Sequence, residues 1–390
     1  MALNGVDAVL AGGAAAVVTA ALTPAAASVA RRVGAIDAPR ARGLAERETP
    51  LLGGLAILLG VLLAAWLWLP HSGTTPAILL GAMVITLVGA LDDLLDLPAI
   101  AKFAGQVGAA LIPVTHDVVV RAVTLPFLGR VDLGGASETL TVLGIVFLIN
   151  VVNFSDGVDG LAAGVGAIAA TSFSIIAFDL DKPNAAVLAA IVAGAALGFL
   201  VHNFHPASVF MGDCGSNLLG YLLGCVIVEG TLKTNALIAL VGPLVVLAVP
   251  FLDTGFVVAK RIKYHRPVYE ADRWHFHHRM ANIGFSQRRT VLYLYAWMVL
   301  MAGIAIALRF IPYSESSGHL RAGWAALMGV LLLIALAASV YLVYVLEILK
   351  FRRLTARRVR RMRPAATEAE VDESVTEQLE TGEWEAVGRG

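Results

Sequence analysis

The stretch Asn150-Val-Val-Asn-Phe-Ser-Asp-Gly-Val-Asp-Gly160 sets two carboxamides and two carboxylates at the end of a long apolar run. Side chains three residues apart meet on a helix, but four such residues would cover half its circumference, and the two glycines indicate that the helix ends here. Burying one unpaired Asp at a bilayer centre costs about 2.5–3.5 kcal/mol on insertion scales. The stretch therefore predicts a cation or a water-filled cavity, with a solvated interfacial loop as the alternative. The polar residues are Asn150, Asn153, Asp156 and Asp159.

The composition of the 390-residue chain is typical of a membrane protein. Hydrophobic residues make up 58% of it, charged residues 15%, and the mean hydropathy is +0.78. These values lie well outside the range of soluble domains. We predict an all-α polytopic integral membrane protein. The formal net charge is zero, and we expect no nucleic-acid partner.

The number of helices follows from the apolar runs, because about 20 apolar residues cross a bilayer. Two runs, 99–114 and 216–230, are short enough to be tilted or partly re-entrant, so the sequence predicts about eleven transmembrane helices and leaves ten open. The runs are 6–30, 51–69, 76–95, 99–114, 139–156, 160–178, 185–203, 216–230, 236–258, 290–311 and 322–349.

The orientation follows from the positive charges in the connections. With eleven helices, most of the 29 Lys and Arg residues fall on one face. The N-terminus is therefore predicted outside, and the C-terminus is predicted in the cytoplasm. Every polar motif then lies on the cytoplasmic side, which predicts a cytoplasmic catalytic face.

Three further segments are interpreted from their composition. Residues 115–137, on the outer or periplasmic face, favour a short β-hairpin. After a transmembrane domain spanning 1–349, the basic juxtamembrane segment 350–363 is expected to lie against anionic membrane lipid. The acidic tail 364–390 is expected to be disordered because it is poor in apolar residues.

A second acidic motif, Val88-Gly-Ala-Leu-Asp-Asp-Leu-Leu-Asp-Leu97, ends the third apolar run, and Lys102 follows it. Its adjacent carboxylates, Asp92 and Asp93, repel each other unless they share a cation. One of them is a candidate general base. The alternative is that the acids only mark the membrane boundary.

A third motif, Phe210-Met-Gly-Asp-Cys-Gly-Ser-Asn217, flanks Asp213 with turn-forming glycines before an apolar run. Backbone N–H groups and a carboxylate would then face one cavity, which suits phosphate with Mg²⁺. This ion prefers one or two carboxylates, several waters and phosphate oxygens, so Asp213 with Asn153 or Asp156 would suffice. An ordinary helix start led by glycine is the alternative.

The most basic connection contains Ala271-Asp-Arg-Trp-His-Phe-His-His-Arg279, which on a helix sets His275, His278 and Arg279 along one face. Three histidines suggest zinc, but no acidic or Cys ligand stands at metal spacing. Arg273 and Arg279 would also repel a dication. Phosphate binding is the preferred interpretation.

In this order, the motifs resemble those of the polyprenyl-phosphate N-acetylhexosamine-1-phosphate transferases, integral membrane enzymes that begin bacterial cell-envelope glycan synthesis. The resemblance spans residues 33–285. Each piece alone is weak, but the ordered set is highly specific. The pieces are GAIDAPRAR with PLLGG, GALDDLLDL with a following Lys and Gln, NVVNFSDGVDGLAAG, HNFHPASVFMGDCGSNLLG and ADRWHFHHRM.

The resemblance implies a role for each group of residues. The metal site, Asn153 and Asp213, would hold Mg²⁺, or Mn²⁺ in its place, on the diphosphate of the donor. The implied catalytic residues are Asp92, Asp93, Asp156, Asp159, His275, His277 and His278. The implied substrate-binding residues are Asn150, Lys102, Arg273 and Arg279.

The resemblance also implies a reaction, in which GlcNAc 1-phosphate passes from UDP-GlcNAc to undecaprenyl phosphate at the bacterial inner membrane and UMP leaves. The ADRxHxHHR form resembles the branch that uses UDP-GlcNAc rather than UDP-MurNAc-pentapeptide. GlcNAc over GalNAc rests on that branch alone. The first cytoplasmic loop departs from the family pattern, because Ala45 stands where the family often has a histidine. The oligomeric state is open, a homodimer included.

Two other classes of function fit parts of the pattern. A cation-coupled or sugar-phosphate transporter also uses intramembrane acids and broken helices. Here the acids gather at cytoplasmic helix ends without an inverted repeat, which favours an interfacial enzyme. A catalytically silent scaffold would be excluded by any release of UMP.

Overall fold

The computed structural model describes residues 3–37, 48–125, 129–232, 247–248, 251–252, 255, 286–310, 321–344, 356, 359–360, 363 and 367–381. Within them the chain is mostly helical, with two small sheets. A short 3₁₀ helix precedes α5, and a π-helical turn extends α8. The helices are α1 (Gly5–Val33), α2 (Gly53–Trp68), α3 (Thr75–Leu95), α4 (Ala99–Val114), α5 (Ser137–Ser155), α6 (Leu161–Asp179), α7 (Pro183–Asn203), α8 (Gly212–Ile227), α9 (Gln287–Phe310), α10 (Ala322–Tyr344) and α11 (Glu368–Thr381).

Six of the described helices are long and apolar enough to cross a membrane, namely α1, α3, α5, α6, α7 and α9. This confirms the expectation of a helical, polytopic membrane protein. Each predicted apolar run except 236–258 coincides with a described helix, and that run lies almost wholly outside the described residues. The count of about eleven crossings and their orientation stay predictions.

The break predicted within residues 150–160 is confirmed. Helix α5 ends at Ser155, and α6 begins at Leu161. Gly160 lies between them with φ of 81°, a left-handed conformation that glycine adopts without strain. The non-helical residues between the two helices carry Asp156 and Asp159, which places both carboxylates at a helix junction.

Small residues bring the helices unusually close together. A Cβ atom added at Gly194 of α7 would overlap the carbonyl oxygen of Gly12 in α1, and one at Gly198 would overlap that of Ala16. Membrane helices associate through such close backbone contacts, because lipid tails provide no hydrophobic drive between them. The contact of α1 with α7 therefore depends on glycine at these positions.

Helix α8 is buried between α2, α3 and α5 by similar contacts. An added Cβ at Gly54 of α2 would overlap the backbone nitrogen of Gly215, and one at Gly89 of α3 would overlap the carbonyl of Asp213. Gly220 of α8 faces α5, where its added Cβ would lie 2.6 Å from the Cα of Ile149. These contacts fix the start of α8 beside the ends of α3 and α5.

A two-stranded sheet, formed by β1 (Ile36–Asp37) and β2 (Thr49–Pro50), was not predicted from the sequence. Each strand has two residues, too few to show a period of two. The last carbonyl of β2 accepts the N–H of Phe210 at 2.9 Å, and the N–H of Gly54 donates to the carbonyl of Met211 at 3.0 Å. This strand thereby holds the segment that leads into α8.

The β-hairpin predicted within residues 115–137 is confirmed. Strand β3 (Ala122–Leu125) pairs antiparallel with β4 (Gly129–Asp132), and Val123 lies opposite Val131. Its position on the outer face stays a prediction.

The acidic tail is not wholly disordered as expected, because its residues Glu368–Thr381 form α11. The N–H and hydroxyl of Thr367 both donate to Glu370 Oε2 at 2.8 Å, which caps the helix and lowers the pKa of Glu370. Two valines of α11 pack against Val359, and Glu368 Oε1 accepts from Arg360 Nη2 at 2.9 Å. The composition of the tail predicted disorder because a helix cap and an apolar helix face depend on the order of the residues, which composition does not include.

We predict that Gly54→Ala lowers the free energy of unfolding by about 1–3 kcal/mol, because the new methyl group meets the backbone of α8. Gly108→Ala in α4 is the matched control. No atom lies within 4 Å of its added Cβ, so alanine should be neutral or stabilise by up to about 1 kcal/mol. Thermal unfolding of both variants in one detergent checks this, and equal melting temperatures would contradict the packing.

Candidate active site

Four helix ends meet on one side of the molecule and bring the polar motifs together. Asp92 and Asp93 lie in the last turn of α3, Lys102 in the first turn of α4, Asn153 in the last turn of α5, and Asp213 in the first turn of α8. The close packing around α8 holds these ends at short distances. Motifs that are distant in the sequence therefore form one site.

Lys102 pairs with carboxylates from two other helices. Its Nζ lies 2.9 Å from Asp92 Oδ2 and also pairs with Asp213 Oδ2. The other oxygen of Asp92 accepts the backbone N–H of Leu97 at 3.0 Å. The three charged side chains are between 11% and 26% exposed, so their attraction is screened less than on an open surface. Lys102 thus compensates two acids at once.

Asp93 has different partners from its neighbour Asp92. Its Oδ1 accepts the N–H of Asp213 at 2.7 Å, and its Oδ2 accepts the N–H of Cys214 at 3.2 Å. Gly212 has φ of 68°, and an added Cβ there would overlap the Asp93 carboxylate. Asp93 therefore caps α8, where a negative charge is favoured. The expectation that these N–H groups face a ligand cavity is corrected, because Asp93 binds them.

Asn153 connects α5 to the start of α8. Its Nδ2 donates to Asp213 Oδ1 at 2.7 Å and to Ser216 Oγ at 2.8 Å. The hydroxyl of Ser216 in turn donates to the carbonyl of Gly212 at 3.1 Å. With Nδ2 used in this way, the carbonyl oxygen of Asn153 is the atom that could coordinate an ion.

Asp156 follows α5 directly and lies among other acids. Burial raises its pKa well above the ordinary value, and the charges of Asp213, Asp93 and Asp159 raise it further. A carboxylate in this position is more easily kept ionised when a cation is near. The structure therefore brings Asp156 into the electrostatic surroundings of Asp213, as the sequence predicted.

Asp159 is held by the segment between α7 and α8. Its Oδ2 accepts Nδ1–H of His205 at 2.8 Å and the N–H of Ala207 at 3.0 Å. His205 was not among the predicted site residues, although it belongs to the HNFHPASVFMGDCGSNLLG piece of the resemblance. Only its position after α7, opposite the loop that carries Asp159, reveals the contact.

Asn150 differs from its neighbours in the motif. Its Nδ2 donates to Gln106 Oε1 of α4 at 2.8 Å and to the carbonyl of Val146 at 2.8 Å. Gln106 is buried. Its amide nitrogen joins α5 to α4, one helical turn before Asn153. The role of Asn150 in substrate binding stays a prediction.

The basic histidine motif lies outside the described residues, and so does Ala45. Its predicted site residues are His275, His277, His278, Arg273 and Arg279. Their roles stay predictions.

The oxygen atoms of the site are of the kind that Mg²⁺ takes, and the histidines that suggested zinc lie outside the described residues. Among the described residues, no group of three His, Cys, Asp or Glu side chains could hold a metal ion. Mg²⁺ needs fewer protein ligands, because it keeps several waters and binds phosphate oxygens of a substrate. Asp213 and the Asn153 carbonyl oxygen are hard oxygen ligands of the kind that this ion takes.

Membrane-crossing helices and a site of carboxylates, amides and a lysine at their converging ends define an integral membrane enzyme. Residues 75–231, which include α3 to α8, match the model of glycosyl transferase family 4. The chain belongs to the polyprenyl-phosphate N-acetylhexosamine-1-phosphate transferase family, a group of membrane glycosyltransferases of cell-wall biogenesis. Its reaction class is transfer of a hexosamine 1-phosphate to a polyprenyl phosphate.

Curated relatives carry the family assignment. A probable undecaprenyl-phosphate N-acetylglucosaminyl 1-phosphate transferase of Bacillus subtilis is 37% identical, over 74% of this chain and 81% of the relative. The decaprenyl-phosphate N-acetylglucosaminephosphotransferase of Mycobacterium leprae is 38% identical, over 73% and 79%. A phospho-N-acetylmuramoyl-pentapeptide-transferase of Moorella thermoacetica is 32% identical, over 74% and 94%.

We predict that Asp93→Asn lowers the free energy of unfolding by about 1–3 kcal/mol, because the new amide places a donor against an N–H of α8. Asp92→Asn should cost less, since it keeps an acceptor for Leu97 and leaves Lys102 paired with Asp213. Melting curves of the two variants in the same detergent check this. A larger loss in Asp92→Asn would contradict the capping role of Asp93.

Proposed function

We propose that the protein transfers GlcNAc 1-phosphate from UDP-GlcNAc to undecaprenyl phosphate with Mg²⁺ and releases UMP. The observation that carries this proposal is the pairing of Lys102 with both Asp92 and Asp213, beside Asn153. It forms a site of mixed charge at the ends of membrane helices. A lipid phosphate and a water-soluble diphosphate can meet only at such a boundary.

The names of the relatives support the sugar more strongly than the lipid. The Bacillus and mycobacterial relatives are both named for N-acetylglucosamine, at 37% and 38% identity. Their polyprenyl groups differ, undecaprenyl in one and decaprenyl in the other. We propose undecaprenyl phosphate, and decaprenyl phosphate is the comparison that the assay must include.

The proposed reaction exchanges one phosphoanhydride bond for another. An oxygen of the polyprenyl phosphate forms a bond to the β-phosphorus of UDP-GlcNAc. The bond from that phosphorus to the bridging oxygen breaks, and UMP leaves with that oxygen. A phosphate monoester with a second pKa near 6 is mostly dianionic at pH 7 to 8, so the acceptor needs positioning more than deprotonation.

The residues of the site would share the work of positioning and charge compensation, which dominate phosphoryl transfer. Asp213 and Asn153 would hold Mg²⁺ on the donor diphosphate, where the ion supplies charge neutralisation. Asp92, at the end of α3, and Lys102, at the start of α4, lie beside them and would orient the acceptor phosphate. Asp93 would keep α8, and with it Asp213, in place.

The cellular setting follows from the same proposal. UDP-GlcNAc is charged and water-soluble, so it stays in the cytoplasm and does not enter the membrane. The site would therefore face the cytoplasmic side of a bacterial inner membrane. The N-terminus would lie outside, in agreement with the distribution of Lys and Arg. The basic segment 350–363 would then contact anionic lipid of the inner leaflet.

The assay uses purified full-length protein, Mg²⁺, UDP-GlcNAc and either undecaprenyl or decaprenyl phosphate, and it measures UMP. UDP-GalNAc and UDP-MurNAc-pentapeptide are the competing donors. We expect the fastest release of UMP with UDP-GlcNAc and undecaprenyl phosphate. A faster reaction with another donor or with decaprenyl phosphate would overturn the corresponding part of the proposal.

We predict that Asp213→Asn lowers kcat at least about 100-fold, because the amide keeps the shape but removes the charge that would hold the cation. Cys214→Ala is the control at the next position. It removes a weak hydrogen bond from Sγ to the carbonyl of Met211 but keeps the backbone N–H that Asp93 accepts, so turnover should stay near the wild-type rate. Wild-type turnover by Asp213→Asn, or full activity in excess EDTA, would rule out the metal role.

A further inference from the structure

The two carboxylate oxygens of Asp159 differ in their contacts. Oδ2 accepts from both His205 Nδ1, at 2.8 Å, and the N–H of Ala207, at 3.0 Å. Oδ1 has no hydrogen-bond partner among the described residues. An ionised carboxylate only accepts hydrogen bonds, so His205 must carry its proton on Nδ1. Oδ1 is left for a hydroxyl or N–H donor of a ligand.

The segment that presents His205 is fixed from several directions. The carbonyl of His205 accepts Nε–H of Arg288 at 2.9 Å, at the start of α9. Asn203 Oδ1 accepts the N–H of Gly160 at 3.0 Å, and the hydroxyl of Tyr295 donates to the carbonyl of Gly160. The loop of Asp159, the segment after α7 and helix α9 thus form one hydrogen-bonded unit.

The contact between Asp159 and His205 is partly buried and is therefore stronger than a fully exposed surface pair. The Asp159 side chain is 16% exposed and that of His205 is 35% exposed. A hydrogen bond to a carboxylate in this setting is stronger than one between neutral groups. Without the histidine, Asp159 would keep one backbone donor and could rotate about its own side-chain bonds.

We infer that His205 is a positioning residue for the donor sugar nucleotide. It holds Oδ2 of Asp159 so that Oδ1 accepts a hydroxyl or N–H group of the nucleotide, and Arg288 fixes His205 in turn. This inference rests on the proposed function, which supplies the nucleotide. It assigns to His205 a contribution to donor affinity, without contact to the reacting phosphorus.

Two substitutions of His205 distinguish the role of Nδ1 from that of Nε2. In His205→Asn the amide nitrogen occupies nearly the position of Nδ1 and can still donate to Asp159. In His205→Gln the amide nitrogen reaches towards the position of Nε2 and loses that bond. We expect His205→Gln to raise the KM for UDP-GlcNAc about tenfold, the effect of one hydrogen bond to a charged group.

The experiment measures UMP release by full-length wild type and both variants, with melting curves in the same detergent. The KM for undecaprenyl phosphate should be unchanged in all three, and His205→Asn should stay close to wild type. A donor KM that is equal in the Gln and Asn variants would overturn the inference, even if both melt at lower temperature. Absence of UMP release by wild type would instead overturn the proposed function on which the inference rests.

A double-substitution cycle with Asp159→Asn tests the inference independently of any effect of the substitutions on stability. If His205 acts through Asp159, His205→Gln should add little to the donor KM of Asp159→Asn. If instead the double variant raises the donor KM by the product of the two single effects, His205 acts on the donor by another route, which would contradict the inference. The cycle reads a ratio between folded variants, so a uniform loss of stability does not imitate it.

Discussion

The ammonium group of Lys102 is the charge on which the rest of the site depends. Asp92 and Asp213 come from different helices and would repel each other, by about 4 kcal/mol for charges 4 Å apart at an effective dielectric of 20. Lys102 pairs with both of them. Glycines at the contacts with α8 let the backbones approach closely enough for these side chains to meet. The helix packing and the charge compensation are therefore two parts of one arrangement.

The acids of the site differ in their roles because they differ in their partners. Asp93 uses both oxygens to cap α8. Asp213 lies between Lys102 and Asn153. In the proposed function, a cation would take the place of Lys102 beside Asp213, and a phosphate would take the place of Asp213 beside Lys102. Asp159 is tied by one oxygen to the segment after α7. In the proposed function, these three carboxylates would thus support structure, metal binding and donor binding separately.

The sequence predicted the features that depend on local pattern. Apolar runs gave helices such as α4 and α7, the glycines after Asn153 gave the break between α5 and α6, and the Val-rich segment gave the hairpin. The motifs also predicted that Asp92, Asn153 and Asp213 belong to one site. Their meeting could be anticipated because each lies at a helix end on the same predicted face.

The remaining features depend on contacts between distant segments. Nothing near Asp93 in the sequence shows that it caps a helix 120 residues away. The pairing of Asn150 with Gln106 and that of Asp159 with His205 likewise follow from helix packing. The sheet of β1 and β2 is too short to leave a pattern. The helix in the acidic tail was missed because composition outweighed the capping pair of Thr367 and Glu370.

Electron paramagnetic resonance of Mn²⁺, used in place of Mg²⁺, tests most directly whether Asp213 and Asn153 hold the ion with the donor. The measurement titrates Mn²⁺ into purified full-length protein with and without UDP-GlcNAc and needs no turnover. We expect tighter binding of Mn²⁺ when UDP-GlcNAc is present, and at least about tenfold weaker binding in Asp213→Asn. Equal affinity for Mn²⁺ in wild type and Asp213→Asn would contradict the site described for this protein.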